Sequence, residues 1–371
     1  MKKHNIIKSV WIMTILVLST FVVAARRPAP VRAVMKDVDA LPPATDLRKD
    51  WSSRLHYVGV VLEEPDYHIW GSSPIWGNDG KVHLFSARIP LATGFGTWWA
   101  TSQIAHYVAD KPEGPFTFVE VLLKPGDSPA GAWDCGAQHN PTITKIDDRF
   151  VLSYHSAMGT ITDRRRDSIR IGMMTATDIN GPWTKLGMML DPPTPEESNV
   201  VTGEYYGFTD NPSLVRHPDG RFFLYYRIKF PGLKGDCTYG VAIADKLEGP
   251  YVHHPDRVVN NPTYIEDPYV FVLDRMFYML ITDNRNPQGA QGMLLTSKDG
   301  LHFDYDQGHG FGTIADTIPA DKLPPDSSNI PRGIFERPQL LFRNGVPTHL
   351  YVPCRTSING GKGACSYLFA I

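Results

Sequence analysis

The apolar positions of this chain fall into short runs broken by polar turns, and the runs recur in a fixed order. Five segments share one pattern: a polar pair, a proline, an apolar run, a turn, and a second run rich in aromatics. They are SSPIWGNDGKVHLF from Ser72, HNPTITKIDDRFVLSY from His139 and DNPSLVRHPDGRFFLYY from Asp210, then EDPYVFVLDRMFYML from Glu266 and ERPQLLFRNGVPTHLY from Glu336. Their prolines, Pro74, Pro141, Pro212, Pro268 and Pro338, lie 56 to 71 residues apart. A second pattern sits between them, in IAHYVADKPEGPF from Ile104, GMMTATDINGPW from Gly172, GVAIADKLEGPY from Gly240 and GMLLTSKDGLHF from Gly292. Each of these is an apolar strand, a polar turn and an aromatic that opens a further strand. Every repeat therefore predicts two hairpins, a four-stranded antiparallel sheet. Five such sheets closed in a ring make an all-β, five-bladed propeller whose innermost strands line a channel. LHYVGVVLEEP, from Leu55, precedes the first repeat, and the chain ends soon after CSYLF. Strands from the two ends are thus expected to complete one blade and close the ring. Helical periodicity is weak throughout.

The N-terminus reads as an export signal. Lys2, Lys3 and Lys8 precede an apolar stretch from Val10 to Ala25. Residues 1–25 are assigned to the signal, 26–50 to a Pro-containing leader and 51–371 to the propeller, in a secreted or periplasmic protein. A retained membrane anchor is the other reading of that stretch. Of the 371 residues 42% are hydrophobic, enough for a large core. The formal charge of −2, with no long basic run, disfavours a nucleic-acid partner. The four cysteines show no CxxC spacing and there is no HExxH, which argues against zinc. In an exported protein Cys354 and Cys365 are expected to pair. No cofactor and no metal are expected; a structural calcium at the propeller axis is the alternative reading, although no EF-hand-like run supports it.

The residues just before the five prolines converge on the axis by symmetry. They are Ser72/Ser73, His139/Asn140, Asp210/Asn211, Glu266/Asp267 and Glu336/Arg337. Scaffold positions should repeat between blades, and these diverge while their surroundings repeat, which marks them as functional. Acidic groups in three neighbouring blades suggest carboxyl chemistry. Glycoside hydrolysis uses one protonated carboxyl on the leaving oxygen and another group to activate water or attack. Crowding among carboxylates raises a pKa and keeps such an acid protonated. Glu266, Asp210, His139 and Glu336 are the catalytic candidates. Ser73, Asn140, Asn211, Asp267 and Arg337 are substrate contacts, with Trp70, Trp76 and Trp133 as stacking faces for sugars. Arg285, with Arg227, Arg332 and Arg355, is suited to a carboxylate or sulfate on the substrate. Plainer roles stand beside these: a turn-forming Asp210, a structural Glu336–Arg337 pair, and tryptophans that only pack between blades.

The Gly-Pro-aromatic turns, the E-D-P of blade four and the E-R-P of blade five resemble the five-bladed propeller glycoside hydrolases, such as families 43, 32 and 117. The resemblance runs from about residue 55 to the end, in repeat pattern more than in identity. It implies that the chain cleaves glycosidic bonds. In family 43 the base lies before the blade-one proline, a pKa-tuning Asp in blade three, and the acid Glu in an E-x-P of blade four. That implies Glu266 as the acid, with Asp210 one residue before the tuning position, which Asn211 holds. Ser73 stands where the base belongs, leaving Asp66, Asp134 and Glu204 as candidates for that role. The histidine acid of family 117 makes His139 and His155 alternative acids. Three other functions compete. A polysaccharide lyase would use His139, Tyr205 or Tyr206 with arginines on a uronate; a phosphorylase would use phosphate in place of a base; a binding propeller would do no chemistry. All take a carbohydrate partner, acidic or sulfated on the arginine evidence, with no membrane once the signal is removed.

Overall fold

The computed structural model describes residues 47–199, 209–229, 237–261, 264–283, 291–305, 308–323 and 333–371. Strand β1 spans His56–Leu62. Blade one follows with β2 (Tyr67–Trp76), β3 (Val82–Pro90), β4 (Gln103–Ala109) and β5 (Thr117–Leu123). Blade two is β6 (Ala137–Ile146), β7 (Arg149–Ala157), β8 (Arg170–Ala176) and β9 (Thr184–Leu190). Blade three is β10 (Thr209–Arg216), β11 (Phe222–Lys229), β12 (Cys237–Ala244) and β13 (Val252–His253). Blade four is β14 (Glu266–Leu273), β15 (Met276–Asp283), β16 (Gln291–Ser297) and β17 (His309–Phe311). Blade five has β18 (Gln339–Arg343), β19 (Val346–Cys354) and β20 (Cys365–Ala370), and β1 joins β20 as its fourth strand, with His56 opposite Ala370. Each sheet is antiparallel, and the two ends of the chain close the ring as the sequence pattern predicts.

The first strands of neighbouring blades pack around the channel. The second strands are buried on both sides, which is why runs such as FFLYY read as continuously apolar. The blades do not share one core. Five apolar clusters each join two neighbours: Phe85 and Ile104 of blade one meet Phe150 and Leu152 of blade two, and Phe271 and Tyr278 of blade four meet Leu350 and Tyr367 of blade five. Leu47 and Trp51, ahead of β1, are buried in that last cluster. The three Gly-Pro turns have cis peptide bonds, and Gly114, Gly181 and Gly249 take the positive φ such tight turns need.

Cys354 and Cys365 face each other directly across β19 and β20, but their sulfurs are not bridged, so the expected disulfide is not formed. Burial pushes the two thiols up to about 11 and about 12, so in the folded chain little thiolate is present to form the bond.

A bulge interrupts the first hairpin in blades one to four, and it sets the true repeat register. It falls after Trp70, His139, Asp210 and Glu266, and pairing resumes at Ser73, Thr142, Ser213 and Tyr269. Pro141, Pro212 and Pro268 sit inside the bulge; in blade one that place is Ser72, and Pro74 lies two residues further on. Ser73 is therefore the partner of Thr142 and Ser213, not of the pre-proline residues. These equivalent positions tie the ring together. Ser73 Oγ accepts the Ile143 N–H at 3.0 Å, and Thr142 Oγ1 donates to Pro212 O at 2.8 Å. Ser213 Oγ accepts the Val270 N–H at 2.9 Å, and Tyr269 Oη donates to Leu340 O at 3.3 Å. Ser73 Oγ then donates to Gln339 Oε1 at 2.8 Å, closing the circle from blade five to blade one.

Candidate active site

Trp70, His139, Asp210 and Glu266 hold one structural position, the last paired residue before the bulge, and Glu336 fills it in blade five, its N–H bonded to Pro353 O. All five line one cavity of about 360 Å³ at the channel mouth, a size typical of small-ligand sites. The bulge residue that follows each of them has a positive φ: Gly71, Asn140, Asn211, Asp267 and Arg337. These form a second ring, of which Asn140, Asn211 and Asp267 reach the cavity floor. Asn140 Nδ2 donates to Asn211 Oδ1 at 2.6 Å, Asn211 Nδ2 to Asp267 Oδ1 at 2.7 Å, and the Arg337 N–H to Asp267 Oδ2 at 3.2 Å. Arg337, fully buried, then reaches across to blade two, where Nη2 donates to Asn140 O at 2.8 Å and Thr142 Oγ1 at 2.9 Å. Gly71 gives it room: a Cβ there would lie 3.3 Å from the Arg337 side chain. A calcium ion at this level would face that fixed guanidinium, and among the described residues no group of three or more His, Cys, Asp or Glu is placed to hold a metal.

The charged centre is built on one hairpin and its neighbour. Asp210 and Arg227 are directly opposite on β10 and β11. Arg227 forks onto Asp210 through Nε at 2.8 Å and Nη2 at 2.5 Å, and its Nη1 reaches Glu266 Oε2 at 2.6 Å and Tyr264 Oη at 3.2 Å. Burial raises the Asp210 carboxyl above its ordinary range, and the Arg227 fork opposes that rise. Arg227 itself is held well above its usual value: burial works against its charge, but Asp210 and Glu266 outweigh burial. Asp267 is raised to about 6, chiefly by burial, against the pull of Arg337. The Glu266 side chain keeps 25% of its surface exposed to the cavity, and that of Glu336, with Arg355 Nε at 3.7 Å, keeps 12%.

His139 and His155 are neutral. Burial first, then positive neighbours including Arg337 and Arg227, hold both well below the ordinary imidazole value. His139 Nδ1 meets Ser102 Oγ at 2.8 Å, and its ring stacks on Trp98 at 4.9 Å. Trp98 belongs to a turn of helix, α1 (Trp98–Thr101), inside an insertion between β3 and β4. That insertion also supplies Phe95 and Trp99 to the cavity wall, and Arg164 and Tyr264 come from other connections. Sequence reasoning missed all five, because insertions do not repeat between blades; the local cluster of aromatics in FGTWW was the available signal.

Of the residues singled out from sequence, Glu266, Asp210, His139, Glu336, Trp70, Asn140, Asn211 and Asp267 line the cavity, as do His155, Arg227 and Arg355. Arg337 lies under it, in the second ring. Ser73 lies in the inter-blade circle. Trp133 stacks on Tyr154 at 6.1 Å and packs between blades one and two. Trp76 lines the opposite end of the channel beneath Arg343. Asp66 is not among the cavity-lining residues, nor is Asp134, which pairs with Lys185 at 2.7 Å. Glu204, Tyr205, Tyr206, Arg285 and Arg332 fall outside the described residues.

No family model matches the sequence, and no curated protein matches it. The structure is similar to Zg3597, a family 117 glycoside hydrolase from the marine bacterium Zobellia galactanivorans. The TM-score is 0.59 at 17% identity, over 85% of this chain and 90% of that one. It is also similar to an exo-1,5-α-L-arabinanase from a bovine ruminal metagenomic library (TM-score 0.54, 15% identity, 83% and 94% covered). A xylan β-1,4-xylosidase from Bacillus halodurans C-125 gives 0.54 and 15%, over 84% of this chain and 54% of that one. At such identities the likeness is one of fold: the chain has the five-bladed propeller fold that these glycoside hydrolases use, in a divergent form.

Proposed function

We propose that the chain is a glycoside hydrolase, with Glu266 as general acid and Glu336 as the base that activates water or attacks. The observation that carries this reading is the meeting of these two carboxyl groups, from adjacent blades, in one cavity at the channel mouth. Arg227 places a single positive charge between Asp210 and Glu266, so the cluster has one negative charge in excess. A substrate that covers the mouth removes water from Glu266. Desolvation then favours the cluster in its state of least net charge, with one proton taken up. Asp210 and Arg227 act as the fixed frame of that proton. His139 and His155, both neutral, suit hydrogen bonds to sugar hydroxyls better than acid catalysis. The arginines at the rim favour a glycan that carries a carboxylate or sulfate. With residues 1–25 read as a signal, the enzyme works outside the cytoplasm.

The roles are separable by leaving group. Glu266→Gln should lower kcat on a natural oligosaccharide by about 10²–10⁴-fold, and far less on an aryl glycoside whose leaving group needs no proton. Glu336→Gln should lower both. Equal losses on the two substrates for Glu266→Gln would remove the acid role from that residue.

A further inference from the structure

Cations lie over several of the aromatic rings around this cavity. Arg164 lies over Trp99 with its guanidinium carbon 4.6 Å from the ring centroid and over Trp98 at 5.1 Å. The His139 ring also stacks on Trp98. Arg355 lies over Phe95 at 4.6 Å and near Trp70 at 6.0 Å. The shelf residues Phe95, Trp98 and Trp99 all belong to the blade-one insertion. The arginines arrive from the equivalent connections of blades two and five, Arg164 between β7 and β8 and Arg355 between β19 and β20. Both arginines are exposed and both line the cavity.

A guanidinium held over an aromatic ring can keep N–H donors turned away from it, and the ring limits its freedom. Two such groups on one rim present planar forks that match carboxylate or sulfate oxygens. On the floor the charge of Arg227 is shared by Asp210 and Glu266, and at the rim Arg355 also faces Glu336, Nε to Oε2 3.7 Å. We infer that the rim formed by Arg164 and Arg355 is a subsite for an anionic substituent, a uronate carboxylate or a sulfate ester, on the glycan held in this cavity. The inference rests on the proposed glycan-cleaving function for the nature of the ligand, but its test is binding.

The full chain carrying Glu266→Gln, which should hold glycans uncleaved, is titrated with two matched pairs. One is tetragalacturonate and its methyl ester; the other is a carrageenan tetrasaccharide and its desulfated form. At least one charged member should bind about tenfold more tightly than its neutral twin. The pair that shows the gap tells carboxylate from sulfate. The gap should narrow with added salt and shrink severalfold in Arg164→Gln and Arg355→Gln. Equal binding of twins, no binding of either charged glycan, or a gap unchanged by both arginine substitutions would overturn the subsite. Charge-selective binding by the wild-type chain without cleavage would support the subsite and remove the hydrolytic reading. Cleavage of charged and neutral twins with equal kcat/KM would do the reverse.

Discussion

Ser73 serves two blades through one hydroxyl, donating to Gln339 of blade five and accepting from the Ile143 N–H of blade two. Its replacement by alanine leaves a buried N–H and a buried amide oxygen without partners, which should cost about 1–3 kcal/mol in urea unfolding. The activity of the molecules that remain folded should not change, and a large drop in kcat with normal stability would return Ser73 to the catalytic site. The sequence misplaced this residue for a definite reason. Pro74 looks like the other four prolines, yet it lies two residues beyond the bulge position that Pro141, Pro212 and Pro268 occupy. The equivalence to Ser213 was present in the hydroxyl itself, but only the hydrogen bonds reveal it. Where proline and bulge coincide, as at Glu266, Asp210 and His139, residues picked from sequence do line the cavity.

The hairpin of β10 and β11 is the element on which the charged centre depends, because it sets Asp210 opposite Arg227. Arg227→Met would leave Asp210 fully buried without its fork, a loss of about 3–5 kcal/mol. Adding Asp210→Asn should recover much of that loss, since the buried charge is then gone. Simple additivity of the two substitutions in urea unfolding would contradict the pairing. The four-stranded pattern of each blade was legible from the repeats, since second strands buried on both sides leave uninterrupted apolar runs. The insertion that carries Phe95, Trp98 and Trp99 was not, because it appears once and obeys no period. The expected Cys354–Cys365 bond was read from sequence spacing and the export signal; the strands do place the two residues opposite one another, but as unbridged, deeply buried thiols.

The propeller as a whole buries several titrating groups, and this sets how its stability follows pH. His106 is lowered to about 4, mainly by burial, and His139 and His155 lie well below 6.5. The unfolded chain takes up these protons near 6.5 and the folded chain does not. Their contribution is therefore complete above 6.5 and lost as pH falls from there toward about 4. Asp267, raised to about 6, and Asp210, also raised, act in the opposite sense: their contribution is complete below 3.8 and lost as pH rises, through about 6 for Asp267. Three histidines against these two carboxyls should make Tm fall as pH is lowered from 7 to 5, and a flat or rising Tm over that range would contradict their burial as neutral rings. The central claim concerns what the cavity at the channel mouth does to a glycan, and one measurement addresses it most directly. Wild-type protein is incubated with acidic and neutral polysaccharides in ¹⁸O-water with phosphate present, and the new ends are weighed by mass spectrometry. A hydrolase gives a reducing end carrying one ¹⁸O, and Glu266→Gln should slow its appearance by about 10²–10⁴-fold. An unsaturated end without ¹⁸O, a sugar phosphate, or no new end at all would contradict the account, pointing in turn to elimination, to phosphorolysis or to binding alone.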